Sequence, residues 1–208
     1  MQSKPGLGKC FVTAAALAAL ALMASCVHAT AAGEAAVVAV EPATSDSALA
    51  LRIEQRLRER AATADDPIAL FYLARAYRSV WTEPARVHAL LAAVEAVRGH
   101  GLDAADFAPA RLRAGAVPAA DPERAAEREL LLTDTLAALL FQLRHGKVDP
   151  RALYREWNFT PPPSPYERAA ELARVLQAPD LVAAVDAYAP DLPLYRALRA
   201  ELLAQQGR

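Results

Sequence analysis

Apolar residues recur with a helical period along most of this chain, and no stretch alternates with period two between turn signals. Leu49, Ile53 and Leu57 stand at i, i+4 and i+8 with Arg52, Arg56, Arg58 and Arg60 between them. That spacing predicts an amphipathic helix from Ser47 with an exposed basic face. Asp66-Pro67 supplies an N-cap and a first-turn proline for a second helix, whose Leu70, Phe71, Leu73, Ala74 and Tyr77 run inward toward Trp81. Thr82, Glu83 and Pro84 start a third, with Val87, Leu90, Leu91, Val94 and Val97 inward and Gly99 as its end. Residues 108–120, rich in Ala, Pro and Arg, read as a loop and as the segment with most freedom to move.

Asp121-Pro122-Glu123 opens the longest helix, in which Leu132, Leu136, Leu139, Leu140 and Leu143 form one apolar face before Gly146 stops it. A short helix is expected from Asp149-Pro150 to Trp157, then a stiff proline-rich linker, then a helix from Tyr166 to Gln177. Asp180 and Asp191 are read as caps of two more helices. The last carries Leu194, Leu198 and Leu202 at i, i+4 and i+8, a stripe expected to dock on the core, and should fray over Gln205 to Arg208. The fold class that follows is all-α, a single domain of about seven helices with no sheet and no internal repeat of fixed length.

Three features of the first 29 residues change the picture. Lys4 and Lys9 precede an apolar run from Phe11 to Met23, and Val27-His28-Ala29 offers small residues where a signal peptidase cleaves. A cleaved signal peptide over residues 1–29 is the expectation, with a flexible tether over 30–45 and the helical domain over 46–208. The address this implies is the bacterial periplasm. Retention of the leader as an anchor, or lipidation of Cys26 in the degraded lipobox Met23-Ala24-Ser25-Cys26, are the alternatives, and a membrane is a partner only under one of them. All 24 acidic residues follow the leader while Lys4 and Lys9 lie inside it, so the remainder is slightly acidic and offers no basic field for nucleic acid. Both cysteines, Cys10 and Cys26, also fall in the leader, so the domain after it holds no thiol.

Candidate chemistry is thin. His88, His100 and His145 lack the close pairing of zinc ligands, and His145 reads as a cation complementing a helix C-terminus. Asp103 with Asp106, and Glu127 with Asp134, could be imagined as acid and base, but an i, i+3 pair at a helix start is first a capping arrangement. Asp134, inside the most apolar helix, would need a donor such as Arg75, Arg78 or Arg144, and a pair fixing helix register is favoured over catalysis. Tyr72, Tyr77, Trp81, Phe107, Trp157 and Tyr195 could line a groove for sugar or peptide, though aromatics at helix ends more often plug a core. No Gly-rich phosphate loop or serine nucleophile elbow is present. We therefore assign no catalytic, cofactor-binding or metal residue and no cofactor.

The blocks LFYLARAYRSVW (70–81), HGLDAADF (100–107), ELLLTDTL (129–136) with LRHGKVDP (143–150), and YAPDLPLYRALRAEL (188–202) resemble, in order and spacing, the N-terminal helical scaffold of the large multidomain murein L,D-transpeptidases. The resemblance spans about Leu49 to Leu203. In that family a peptidoglycan-binding bundle and a β-rich catalytic domain carry the activity; a cysteine in a Ser-His-Gly-Cys sequence attacks one stem peptide and passes the acyl group to another. That motif is not found in these residues, so no catalytic position is carried over. What the resemblance implies is a scaffold role beside peptidoglycan cross-linking, with an L,D-transpeptidase catalytic domain or peptidoglycan itself as partner. The alternative is that this is the N-terminal part of such a transpeptidase, its other domains lying beyond residue 208.

Overall fold

The helix from Pro122 to His145, 24 residues long, is the element around which the others are arranged, and the reason is its leucine face. Leu132, Leu136, Leu139, Leu140 and Leu143 are all buried, as their spacing predicts. The computed structural model describes residues 42–60, 65–114, 121–148 and 163–207. The leader, most of the tether, the expected helix from Asp149 to Trp157 and most of the proline-rich linker lie outside the described residues.

Among the described residues there are eight α-helices and two 3-10 turns and no strand. They are α1 (Pro42–Glu59), α2 (Pro67–Ala74), α3 (Pro84–Ala96), the 3-10 turns η1 (Val97–His100) and η2 (Ala104–Phe107), α4 (Pro109–Ala114), α5 (Pro122–His145), α6 (Pro165–Gln177), α7 (Leu181–Asp186) and α8 (Pro193–Gln206). Every one of these α-helices except α7 begins on a proline. A proline ring holds φ near its helical value and lacks only an N–H that the first turn leaves unused. Asp66, Asp121 and Asp180 cap α2, α5 and α7 by accepting backbone N–H bonds from Ile68, Arg124 and Ala183, and Ser164 forms a reciprocal capping box with Glu167 on α6.

Around α5 the helices fall into pairs. α1 lies along it; α2 packs on α6, and α3 on α7, each also reaching α5. Arg86 on α3 donates to the carbonyls of Leu176 and Ala178, so a guanidinium closes the C-terminus of α6 and joins the two pairs. The core between them holds Ile53, Tyr72, Trp81, Leu90, Val94, Leu132 and Leu136 with essentially no solvent contact.

Several expectations from the sequence need correction. α1 starts at Pro42 and not Ser47, so part of the stretch read as tether is helical. Residues 109–114 form α4 where a loop was expected, because Leu112 is wholly buried and gives the short helix a reason to stay folded. In α2 the inward face is Ile68, Phe71 and Tyr72, while Leu73 is 60% exposed. α3 ends at Ala96, continues as η1 and is closed by Gly101, whose φ of 78° is a conformation that glycine adopts without a Cβ clash. Asp191 does not cap α8; Leu192 occupies that position and Asp191 pairs with Arg196 instead.

The largest correction concerns α8. The stripe Leu194, Leu198, Leu202 does not dock as a whole: Leu194 is 70% and Leu198 63% exposed, Leu202 alone is half-buried, beside Gly101, and α8 has no fully buried residue. The face turned to the body is a mixed one, bearing Tyr195, Arg199 and Gln206 as polar contacts and Leu202 and Leu203 against Gly101 and Gly99.

Candidate functional site

The chemistry-bearing side chains collect in two places, one at the centre of the body and one where α8 attaches. The central one is built on Glu129, which the sequence reading passed over and which has no exposed surface at all. Its carboxylate accepts from the Tyr72 hydroxyl at 2.9 Å, the Ser79 hydroxyl at 2.5 Å and the Val80 backbone N–H at 2.6 Å. Tyr72 also bonds Thr133 at 2.7 Å, and the Trp81 indole N–H donates to the same Thr133 hydroxyl at 2.9 Å. Burial, and next the Glu129 carboxylate, push the Tyr72 hydroxyl well above its ordinary pKa, which keeps it a donor.

Local backbone geometry makes this possible. After α2 the chain turns through Ala76 and Tyr77, both at positive φ (53° and 58°), a conformation costing roughly 1–2 kcal/mol for a residue with a side chain. The turn is held by the Tyr77 N–H on the Tyr72 carbonyl at 2.8 Å. It brings Ser79, Val80 and Trp81 back onto α5, one helical turn of which presents Glu129 and Thr133 together. Every oxygen of Glu129 is satisfied from α2 and this turn. The arrangement locks helix register and leaves no room for substrate.

The second cluster joins η1, α7 and α8. The His100 ring is 3% exposed, with Nε2 2.9 Å from Asp186 and Nδ1 2.7 Å from the Tyr195 hydroxyl. Arg199 grips the same Asp186 with both terminal nitrogens, at 2.6 and 3.2 Å. An imidazole that donates to Asp186 and accepts from Tyr195 is neutral. Burial, and then Arg199, lower its pKa accordingly, against the opposing pull of Asp186. The Asp-His-Tyr order has the outline of a nucleophile triad. Burial raises the Tyr195 hydroxyl, though, and the imidazole is closed to solvent, so the hydroxyl is not activated. Close approach completes the attachment: a Cβ on Gly99 would stand 3.0 Å from Leu203, and Gln206 donates to the Arg98 carbonyl at 3.0 Å.

The residues singled out from the sequence are dispersed. Asp103 caps η2 by accepting from Ala105, as expected, and Asp106 pairs with Lys147. Glu127 meets Arg56 at 2.6 Å and Asp134 meets Arg60 at 2.8 Å, so each carboxylate has its own guanidinium although both line one open recess. Asp134 is half-exposed, and its donor is Arg60 of α1, not Arg75, Arg78 or Arg144. With Arg56 and Arg52 on Glu123, the basic face of α1 remains exposed at Arg52, Arg58 and Arg60, as expected, while three of its four arginines also reach carboxylates of α5. His88 is exposed on α3. His145 packs against the Phe141 ring, and burial and Arg144 lower its pKa, so it is held away from the helix-complementing cation it was read as. Among the described residues no group of His, Cys, Asp and Glu could hold a metal ion. Tyr72, Trp81 and Phe107 are core residues, Tyr77 and Tyr195 are partly exposed, and Trp157 lies outside the described residues.

A family model described as Scaffold domain matches residues 66–202, about two thirds of the chain. The chain belongs to the Scaffold domain family. No curated protein and no solved structure matches it. The Scaffold match begins at the cap of α2 and ends inside α8, so both polar clusters fall within it and α1 precedes it. Glu129, His100, Asp186 and Arg199 could have been suspected from the sequence only as polar residues interrupting apolar helix faces.

Proposed function

We propose that this protein is a periplasmic, non-catalytic scaffold and interaction module that serves L,D-transpeptidase-type peptidoglycan cross-linking. The observation that carries this reading is the Scaffold domain match over residues 66–202, which falls on the same blocks that resemble the helical scaffold of those enzymes. The leader-like first 29 residues support the compartment. The non-catalytic part rests on the cysteines: with Cys10 and Cys26 confined to the leader, the domain has no thiolate for acyl transfer. A body whose buried carboxylate and imidazole are both fully engaged suits a rigid support better than a reaction centre.

Two measurements test it. Purified protein mixed with isolated sacculi should sediment with them, or be retained by an immobilised L,D-transpeptidase catalytic domain, and loss of both would remove the cell-wall role. Intact-mass measurement after incubation with a carbapenem should show no adduct; a stable adduct means that some nucleophile operates. A second reading, that these residues are the N-terminal part of a transpeptidase, is favoured by the exposed Leu192, Leu194 and Leu198, a surface that a following module could cover. Sequencing the reading frame past residue 208 for a Ser-His-Gly-Cys codon run decides between the two.

A further inference from the structure

Many arginines on this body have a carboxylate within ion-pair distance: Arg52, Arg56, Arg60, Arg113 and Arg199 are examples. Two arginines without such a partner share a recess between the last turn of α5, α6 and the end of α7. Arg144, Arg174 and Glu171 line a recess of about 350 Å³ whose remaining wall is Val175, three alanines and Tyr188. That volume is at the small end of ligand pockets, roughly 300–1,000 Å³. Among the described residues neither guanidinium has an ion-pair partner, and Glu171 has none either, although all three border the same space. Tyr188 is only 8% exposed, and its hydroxyl has no hydrogen-bond partner. Burial, with Glu171 next, raises the Tyr188 hydroxyl and keeps it a donor.

We propose that this recess binds a small zwitterion, a free amino acid or short peptide whose carboxylate is held by Arg144 and Arg174 and whose ammonium group is held by Glu171. Two cations alone would suit any anion; an unpaired carboxylate lining the same recess, with three alanines and a valine, selects a ligand carrying both charges and a small apolar side chain. Arg144 and Arg174 also sit in the last turns of α5 and α6, where a cation complements the helix end. That partial charge is not a counter-ion and leaves both forks of donors available. The recess depends on no assumption about cross-linking, and a failure to bind here leaves the cell-wall reading intact.

Amide NMR titration of the whole protein with the dipeptide alanylalanine tests it. We expect saturable shifts confined to the ends of α5 and α6 and to residues around Tyr188, with a dissociation constant on the order of millimolar. C-terminal amidation of the dipeptide should abolish the shifts, and N-acetylation should weaken binding about tenfold. Arg144→Gln with Arg174→Gln should abolish binding while leaving the circular dichroism spectrum unchanged, since both side chains are exposed. Absence of saturable shifts, equal binding of the amidated dipeptide, or undiminished binding by the double variant overturns the site. Equal binding of the N-acetylated dipeptide overturns the zwitterion assignment, because Glu171 then takes no part.

Discussion

Helices α5 and α8 carry similar leucine stripes in sequence and meet opposite fates. In α5 the stripe is the core. In α8 most of it, Leu194 and Leu198, faces solvent, and the attachment is made by Tyr195, Arg199 and Gln206 with Leu202 and Leu203 closing on two glycines. The difference is a matter of partners: α5 is contacted by α1, α2, α3, α6 and α7, which together enclose its leucines, whereas α8 meets η1. Periodicity states which face of a helix could be buried. Whether it is depends on what stands opposite, and opposite α8 stand a neutral imidazole, an aspartate, a backbone carbonyl and the glycines Gly99 and Gly101, which give room to Leu203 and Leu202 only.

The contrast can be broken most forcefully at the centre. Glu129→Leu removes the acceptor for Tyr72, Ser79 and the Val80 N–H and strands three buried donors, so we expect a loss of roughly 4 kcal/mol or outright unfolding. A urea midpoint within error of the native value would show that the turn after α2 rearranges at no cost. Next in size is Leu136→Ala, a fully buried leucine of α5, with an expected cost of about 2–5 kcal/mol in the same assay. Asp186→Ala should cost about 1 kcal/mol, since Asp186 and Arg199 are partly solvated, but should release α8: amide exchange should accelerate across Pro193–Gln206 while α5 keeps its protection. Uniform acceleration in both helices would mean that α8 is part of the cooperative core.

Acidity probes the same attachment more gently. The folded protein holds the pKa of His100 below the ordinary 6.5, so the unfolded chain takes up protons first and stability must fall as pH drops below about 6.5. His145 is lowered as well and acts in the same direction. His100→Asn should therefore flatten the fall without abolishing it, as read from melting temperatures across this range; a slope unchanged by the substitution would place the titration elsewhere. Arg199 lowers the Asp186 pKa, so this contribution, present above about 3.8, is lost only as pH falls further. The smallest effect is expected for Leu194→Ser with Leu198→Ser, within about 0.5 kcal/mol, because neither side chain is enclosed.

Much of the frame was legible because its signals are local. Prolines at helix starts, Asp66, Asp121 and Asp180 as caps, Gly146 as a stop and the α5 leucines each act within one or two helical turns, and each stands where the sequence places it. The two clusters were illegible for the opposite reason. Glu129 finds Tyr72 57 residues away and His100 finds Asp186 86 residues away, and nothing in the spacing of either pair announces the contact. Asp134 shows the limit from the other side: its need for an arginine was readable, but the arginine proved to be Arg60, brought there by α1.

An all-helical body, the place of its longest helices and the residues able to form its core follow from local chemistry, because hydrogen bonding within a helix and the period of its side chains are local properties. Long-range packing sets which apolar faces are covered, which carboxylate is buried, and that the last helix turns most of its leucine stripe away from the body. Those outcomes depend on groups that meet across long separations, where a charge or a leucine acquires its energetic meaning from the surface it faces.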